Sequence, residues 1–142
     1  GPVVPPGTYT LRLRAGGEVV ETTGEIVMDP RVAQTGVDEA AVRAQYAFRL
    51  EVRDLLSEAR QTAEALHEER EVLSDDSARA AVIDSALAAL ETEKGTYMTP
   101  RFIDQTKFLY DMLRHAYQLP GNQAEERLVA LRAEYEAILA EL

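Results

Sequence analysis

The sequence predicts a mainly α protein, an antiparallel bundle of three to four helices preceded by a β-hairpin. Apolar and polar residues alternate over residues 8–14, which is typical of a half-buried strand. From residue 41 onward, apolar residues recur every three or four positions, as on one face of a helix. The connections between the helical stretches are short, which favours antiparallel neighbours. We therefore divide the chain into a hairpin region, 1–31, and a helical region, 32–142.

The hairpin is predicted from residues 5–28, PPGTYTLRLRAGGEVVETTGEIVM. Tyr9, Leu11 and Leu13 fall on one face of the first strand, and AGG supplies the turn. The returning stretch, 18–28, is rich in β-branched residues, and Gly24 within it is a candidate bulge. Pro30 in the following DPR ends the strand, because it has no N–H to donate. A lone hairpin is marginal in water, so its apolar face should pack on the helices, on further strands or on a partner chain.

The first two helices are predicted from apolar stripes and capping residues. Residues 32–37 are predicted to be a connector, and a helix follows over 38–71. One apolar stripe runs along this helix and comprises Ala41, Ala44, Phe48, Val52, Leu55, Ala59, Ala63 and Leu66. SDDS at 74–77 offers capping side chains for a second helix, which Gly95 ends. The seam of this second helix is Ala80, Ile83, Leu87 and Leu90.

The last two helices follow the same logic. Thr99 as N-cap and Pro100 at the first helical position predict a third helix over 100–118. It should bury Phe102, Leu109, Met112, Leu113 and Ala116. Asn122 and Glu125 resemble a capping box for the last helix. The seam of that helix is Leu128, Leu131, Tyr135, Ile138 and Leu142.

Composition narrows the classes of function. The 142 residues are 46% hydrophobic and 28% charged, as in a folded domain. The net charge is −10, nearly all of it in the helical region, which argues against binding to nucleic acid or to an anionic membrane surface. No cysteine is present, so disulfides and thiolate chemistry are excluded, and no apolar run is long enough for a membrane span. The expected partners are proteins: the rest of a parent chain, another subunit or a second copy of this chain.

Motifs for catalysis, cofactors or metals do not emerge from the sequence. His67 lies in HEERE, which lacks the second histidine of a zinc-binding HExxH helix, and His115 belongs to a different helix. Neighbouring acids such as Asp75 and Asp76 lie near a predicted helix start, where they complement the helix dipole. No nucleophile elbow and no phosphate-binding glycine loop is present. We accordingly expect no enzyme activity and name no catalytic, cofactor-binding or metal-binding residue.

The candidate interaction residues are apolar and aromatic. Tyr9, Leu11 and Leu13 form the apolar face of the predicted hairpin. Tyr110 and Tyr117 belong to a run of tyrosines in the last 50 residues, where core packing and interface roles are both open. These five residues are the possible interface.

Several stretches resemble a known family. PPGTYTLRL, a second strand and MDPRV are similar to the end of the immunoglobulin- or fibronectin-like segment in bacterial BNR-repeat proteins. Those are secreted, sortilin-like β-propeller proteins often labelled glycosyl hydrolases. AQYAFRLEVRDLLSEA at 44–59 resembles the first helix of that family's helical tail, and 102–142 resembles its closing helices. The family's propeller carries an Asp-box, SxDxGxTW; this chain has no tryptophan, and SDDS lacks the glycine and the aromatic residue. No catalytic residue of the family therefore carries over.

The resemblance implies a non-catalytic C-terminal module of an exported protein, located in the periplasm, at the cell envelope or outside the cell. It makes the hairpin the remnant of a β-sandwich whose earlier strands precede Gly1, and the start GPVVPPG reads as a cut within a longer protein. One alternative is a helical oligomerisation module of a cell-envelope complex, assembled through the long first helix and the seams. A second alternative is an enzyme of the glycoside-hydrolase type, which requires two carboxyl groups facing each other across a cleft.

Overall fold

The structure, a computed structural model, describes residues 4–75, 77–113 and 119–142. Two strands come first and five helices follow, so the described chain is mainly helical, as predicted. The elements are β1 (Gly7–Ala15), β2 (Glu18–Ile26), α1 (Pro30–Ala33), α2 (Glu39–Glu71), α3 (Ala78–Leu90), α4 (Phe102–Met112) and α5 (Asn122–Ala140).

The hairpin pairs β1 and β2 in one unbroken antiparallel register. Gly7 lies opposite Ile26, and the pairing continues to Ala15 opposite Glu18. Gly16 and Gly17 make the connection with φ angles of +58° and +84°, which a two-residue turn of type I′ requires at both positions.

The bulge predicted at Gly24 is wrong. Gly24 pairs in register with Tyr9, and no residue is inserted on either side of it. A glycine opposite a large ring leaves room for that ring on the same face of the sheet. A bulge would have moved the neighbouring side chains to the other face, because the side-chain period of a strand is two.

Helix α1 was not predicted: the sequence indicated only a strand stop followed by a connector at 32–37. The carboxylate of Asp29 accepts a hydrogen bond from the amide of Arg31 at 2.9 Å, and Pro30 takes the first helical position. Both features start a helix. The four-residue helix is nevertheless short, because the chain turns at Gly36 with a φ of +83°.

Helix α2 is the central element of the core. It runs for 33 residues and packs against α3, α4 and α5. Asp38 is its N-cap, as the predicted start at 38 implies, and accepts the amide of Ala41 at 2.8 Å. The predicted stripe is buried from Phe48 onward, whereas Ala44 is exposed. The core partners from the other helices are Ile83, Ala86, Leu90, Phe102, Leu109, Leu128, Leu131, Tyr135 and Ile138.

Tyr135 joins three helices. Its ring stacks on Phe102 of α4, with centroids 5.3 Å apart and planes 19° apart. Its hydroxyl lies 2.7 Å from the hydroxyl of Thr62 on α2. Because the hydroxyl has a partner, this large ring is buried without stranding a polar atom.

Two predicted helix ends lie elsewhere. Helix α3 ends at Leu90 and not at Gly95, and α4 starts at Phe102 with Arg101 as its N-cap, so Thr99 is not a cap and Pro100 is outside the helix. The amide of Arg101 donates instead to the hydroxyl of Thr92 at 2.8 Å. This bond joins the two ends of the connection and moves the helix start past the proline.

Of the other two predicted helix caps, one is confirmed and one is wrong. Ser77 within SDDS caps α3 by accepting the amide of Ala80, as predicted. Asn122 is not a cap, because it is already the first residue of α5 and Gly121 holds the N-cap position without a side-chain bond.

The predicted burial of Met112 is also wrong. Phe102 and Leu109 are buried and Leu113 is half-buried, but 59% of Met112 is exposed. Met112 lies one turn after Phe108, on the flank of α4 rather than on the side that meets α2. Ala116 lies outside the described residues.

Ion pairs tie the end of α2 to α3. Arg70 on α2 donates to Asp75 and Asp84, both at 2.8 Å. Arg79 on α3 donates to Glu69 at 2.7 Å and to the carbonyl of Leu142. The guanidinium of Arg79 holds the pKa of Glu69 below its usual value, because it stabilises the charged carboxylate.

Substitution of Leu131 by alanine should test the core. Leu131 is 0% exposed, so Leu131→Ala leaves a cavity and should lower the free energy of unfolding by about 2–5 kcal/mol. The matched control is Val129→Ala on the same helix, where the side chain is 68% exposed. We expect the control to change stability by less than about 0.5 kcal/mol in urea unfolding. Equal effects of the two substitutions would contradict this core.

The pair Glu69–Arg79 predicts a pH dependence. A carboxylate with a lowered pKa stabilises the fold fully above its unfolded pKa, and the contribution disappears as pH falls through the lower folded pKa. Stability of the wild type should therefore fall below about pH 4.5 more steeply than that of Glu69→Gln. Thermal melts between neutral pH and acid measure the difference. The control Glu64→Gln, on the exposed side of α2, should leave the wild-type slope in place.

Candidate interaction surface

The apolar face of the hairpin is the first candidate surface. The register places alternate residues of both strands on one side of the sheet, as the sequence predicts for Tyr9, Leu11 and Leu13. The second strand adds two more apolar side chains to that side. We call these five residues the apolar hairpin face: Tyr9, Leu11, Leu13, Val20 and Ile26.

The apolar hairpin face is open to solvent. Leu11 and Leu13 are 57% and 67% exposed, and Val20 is exposed to a similar extent. In the described part of the chain, no Cα atom of either strand lies within 8 Å of a Cα atom of a helix, although the guanidinium of Arg43 on α2 reaches the start of β1 at Gly7. Single exposed apolar side chains are ordinary, but a contiguous set on one side of a sheet marks a surface for interaction.

The opposite face of the hairpin is polar. It carries three threonines and most of the charges of the hairpin, with Val19 as its one large apolar side chain. Arg12 and Glu21, directly opposite each other in the register, form an ion pair across the strands. The two faces therefore differ in chemistry, as in a sheet that covers a core on one side and meets water on the other.

The base of the hairpin is held while its tip is free. Pro5 and Pro6 are buried, and the hydroxyl of Tyr9 donates to the carbonyl of Pro5 at 2.6 Å. A Cβ placed on Gly7 would lie 3.7 Å from the guanidinium of Arg43 on α2, so the two segments adjoin there. Strands of this length extend about 30 Å, so the apolar face is presented on an arm.

Tyr110, proposed for the interface, belongs to the helical part and not to the apolar hairpin face. Tyr110 on α4 is half-buried, and the guanidinium of Arg49 lies 5.7 Å from its ring centroid. Arg49 is buried, and its Nε has no hydrogen-bond partner in the described structure, so the ring supplies the favourable contact for this cation. Tyr110 therefore packs within the helical part. Tyr117 lies outside the described residues.

A second surface was not predicted from the sequence. A groove of about 690 Å³ separates α4 from α5, with Phe108, Leu109 and Met112 on one wall and Ala124 on the other. Phe108 and Met112 are four residues apart, which places them side by side on a helix. This spacing of four residues was the signal in the sequence for an exposed apolar pair, but a buried apolar stripe has the same spacing.

The polar clusters of the helical part serve as links between elements. His67 and Glu91 are 2.7 Å apart and connect α2 to the residue after α3. His115 lies outside the described residues. Over the described ranges, no group of three or more His, Cys, Asp or Glu side chains is arranged to hold a metal ion. No described helix combines the length and the apolar character that crossing a membrane requires.

Comparison of the chain with family models, with curated proteins and with solved structures found no match.

Hydrogen exchange should distinguish the hairpin from the helical core. The strands lack tertiary cover, so their amides should exchange faster than the amides of α2 around Val52. Tyr9→Phe removes the bond to Pro5 and should accelerate exchange in β1 further, by about fivefold to tenfold for one lost hydrogen bond. Tyr97→Phe, at a fully exposed side chain, is the control and should change nothing. Strand amides as slow as those of α2 would contradict the open hairpin.

Proposed function

We propose that this chain is a non-catalytic structural and protein-interaction module, and that its hairpin packs face to face against a β-sheet of the parent polypeptide. The observation that carries the proposal is the exposed apolar hairpin face, Leu11, Leu13 and Val20 above all. Burying one such side chain contributes about 1.5–3 kcal/mol. A hairpin that presents several of them to water has a large free energy to gain from a cover.

The difference between the two faces supports a sheet as the cover. Stacked sheets pack about 10 Å apart, with alternate side chains of each strand pointing into the shared core. The hairpin has this pattern, because its apolar side chains occupy alternate positions in an unbroken register. The polar face, with the pair Arg12–Glu21, is suited to remain in water. The outer edges of β1 and β2 pair with no other described strand, so strands can also be added there.

The family resemblance fits the same proposal. In an exported, sortilin-like BNR-repeat protein, the hairpin is the last pair of strands of a sandwich and the helices form a C-terminal bundle. The buried prolines and the position of the Arg43 guanidinium beside Gly7 support this order, since they place the base of the hairpin next to the first long helix. The module then acts as a rigid helical terminus that closes and positions the sandwich.

The helical seams favour this proposal over oligomerisation through a coiled coil. The apolar seam of α5 is buried within the chain, where it meets α2, α3 and α4. Its members are Leu128, Leu131, Tyr135 and Ile138. A seam that is already covered has no apolar surface left to join two chains.

The test compares the isolated chain with the parent protein purified from its native cells. Leu13→Ser should change the stability of the isolated chain by less than about 0.5 kcal/mol, because the side chain is exposed there. In the parent protein the same substitution should cost about 1.5–3 kcal/mol, because a covering sheet buries Leu13. Val19→Ser, on the polar face, is the matched control and should be neutral in both.

Two results would overturn the proposal. A neutral Leu13→Ser in the parent protein would mean that nothing covers the apolar hairpin face. Turnover of a glycoside by the isolated chain, abolished by a single Asp or Glu substitution, would replace the proposal with the glycoside-hydrolase reading.

A further inference from the structure

The groove between α4 and α5 has a main part of about 690 Å³, which adjoins a smaller cavity of about 280 Å³. The two share Leu109, Met112, Gln123 and Ala124, and the smaller one extends to Leu119 and Pro120. The volume lies within the range of small-molecule sites in proteins, about 300–1,000 Å³.

The wall of the groove is apolar and unusually exposed. Phe108 is 67% exposed and Met112 is 59% exposed, and both line the groove. Neither side chain fills the groove. Two large apolar side chains held open beside one another indicate a surface that is covered by something apolar.

Charge is confined to one part of the groove. Asp104 and Arg127 are the charged side chains among the described lining residues, and both line the main part. None of the described residues around the smaller cavity is charged. Among the described lining residues, the polarity therefore changes from a charged part to an uncharged part.

Arg127 lacks an anionic partner in the described structure. It is half-buried and donates to the amide oxygen of Gln105, a neutral group. The positions three and four residues away on α5 are Gln123, Ala124, Ala130 and Leu131, so its own helix supplies no carboxylate. By contrast, Arg132 on the same helix pairs with Glu51 at 3.3 Å.

The negative charge of Asp104 is stabilised by a helix dipole. It lies in the first turn of α4, where the positive end of the helix dipole stabilises a carboxylate. Unlike Arg49, which lies over the ring of Tyr110, Arg127 is a half-buried arginine that lines the groove and has no carboxylate partner in the described structure. It is complementary to an anion placed in the groove.

We propose that the groove binds a single-chain amphiphile that ends in a carboxylate. The apolar chain lies along Phe108, Leu109 and Met112, and the carboxylate accepts hydrogen bonds from the guanidinium of Arg127. The direction of the polarity favours this ligand over a peptide helix. A helix in a groove needs an apolar floor with polar rims on both sides, whereas the described lining of this groove is charged at one part and uncharged at the other.

Calorimetric titration of the purified protein tests the proposal with three ten-carbon probes below their critical micelle concentrations: decanoate, 1-decanol and decyltrimethylammonium. The net charge of −10 favours the cationic probe in any non-specific adsorption, so a preference for decanoate reports a local cation. We expect decanoate to bind most tightly. Octanoate should bind more weakly, by about fourfold for each methylene removed.

Substitutions locate the site. Arg127→Gln should weaken the binding of decanoate by about tenfold or more and leave the binding of 1-decanol unchanged, because only the charge-assisted hydrogen bond is lost. The control Arg132→Gln should leave both probes unchanged. Phe108→Ser should weaken all three probes, and Val129→Ser, an equally exposed position on α5, should weaken none. Circular dichroism and the unfolding midpoint of each variant verify that it is folded.

Three results would overturn the proposal: no saturable binding of decanoate, no preference for decanoate over the cationic probe, or equal binding to Arg127→Gln. A dimer of the wild type that Phe108→Ser dissociates would also overturn it, and would assign the groove to a second copy of the chain. Sedimentation of both proteins without ligand measures this last outcome.

Discussion

The burial of the apolar stripe of α2 is the interaction on which the helical part depends. A helix of 33 residues is about 50 Å long, and most of the stability of such a helix comes from burial of its apolar face, here from Phe48 to Leu66. Helices α3, α4 and α5 each contribute buried side chains to that cover. The stack of Tyr135 on Phe102 then joins two of these helices to each other, so the cover is one connected core.

Two surfaces have apolar side chains without such cover. The hairpin turns Leu11 and Leu13 to solvent, and the groove between α4 and α5 does the same with Phe108 and Met112. They differ in shape and charge. The hairpin face is an open sheet beside a polar one, which suits another sheet, whereas the groove is concave and contains Arg127, which suits a smaller anionic ligand.

Much of the chain follows from rules that act over a few residues. Asp38 and Ser77 cap their helices because each side chain reaches an amide three residues ahead. Gly16 and Gly17 form the turn because both positions need positive φ. The rule failed where a distant group competed: Thr92 binds the amide of Arg101 from nine residues away, so α4 starts beyond the predicted Thr99 cap.

The sequence by itself therefore determined the hairpin with its apolar and polar faces, the order of the helices and the buried side of α2, because periods of two and of three to four are local properties of the backbone. Only the tertiary structure decided which apolar residues are covered. Met112 fits a buried stripe by spacing, yet it is exposed, because α5 stands apart from that flank of α4 and leaves a groove. The partner of Arg127 is likewise a matter of which helices meet, since Gln105 lies 22 residues away in the chain. The spacing of apolar residues specifies which side of a helix or strand is apolar, and packing between distant elements decides what that side contacts.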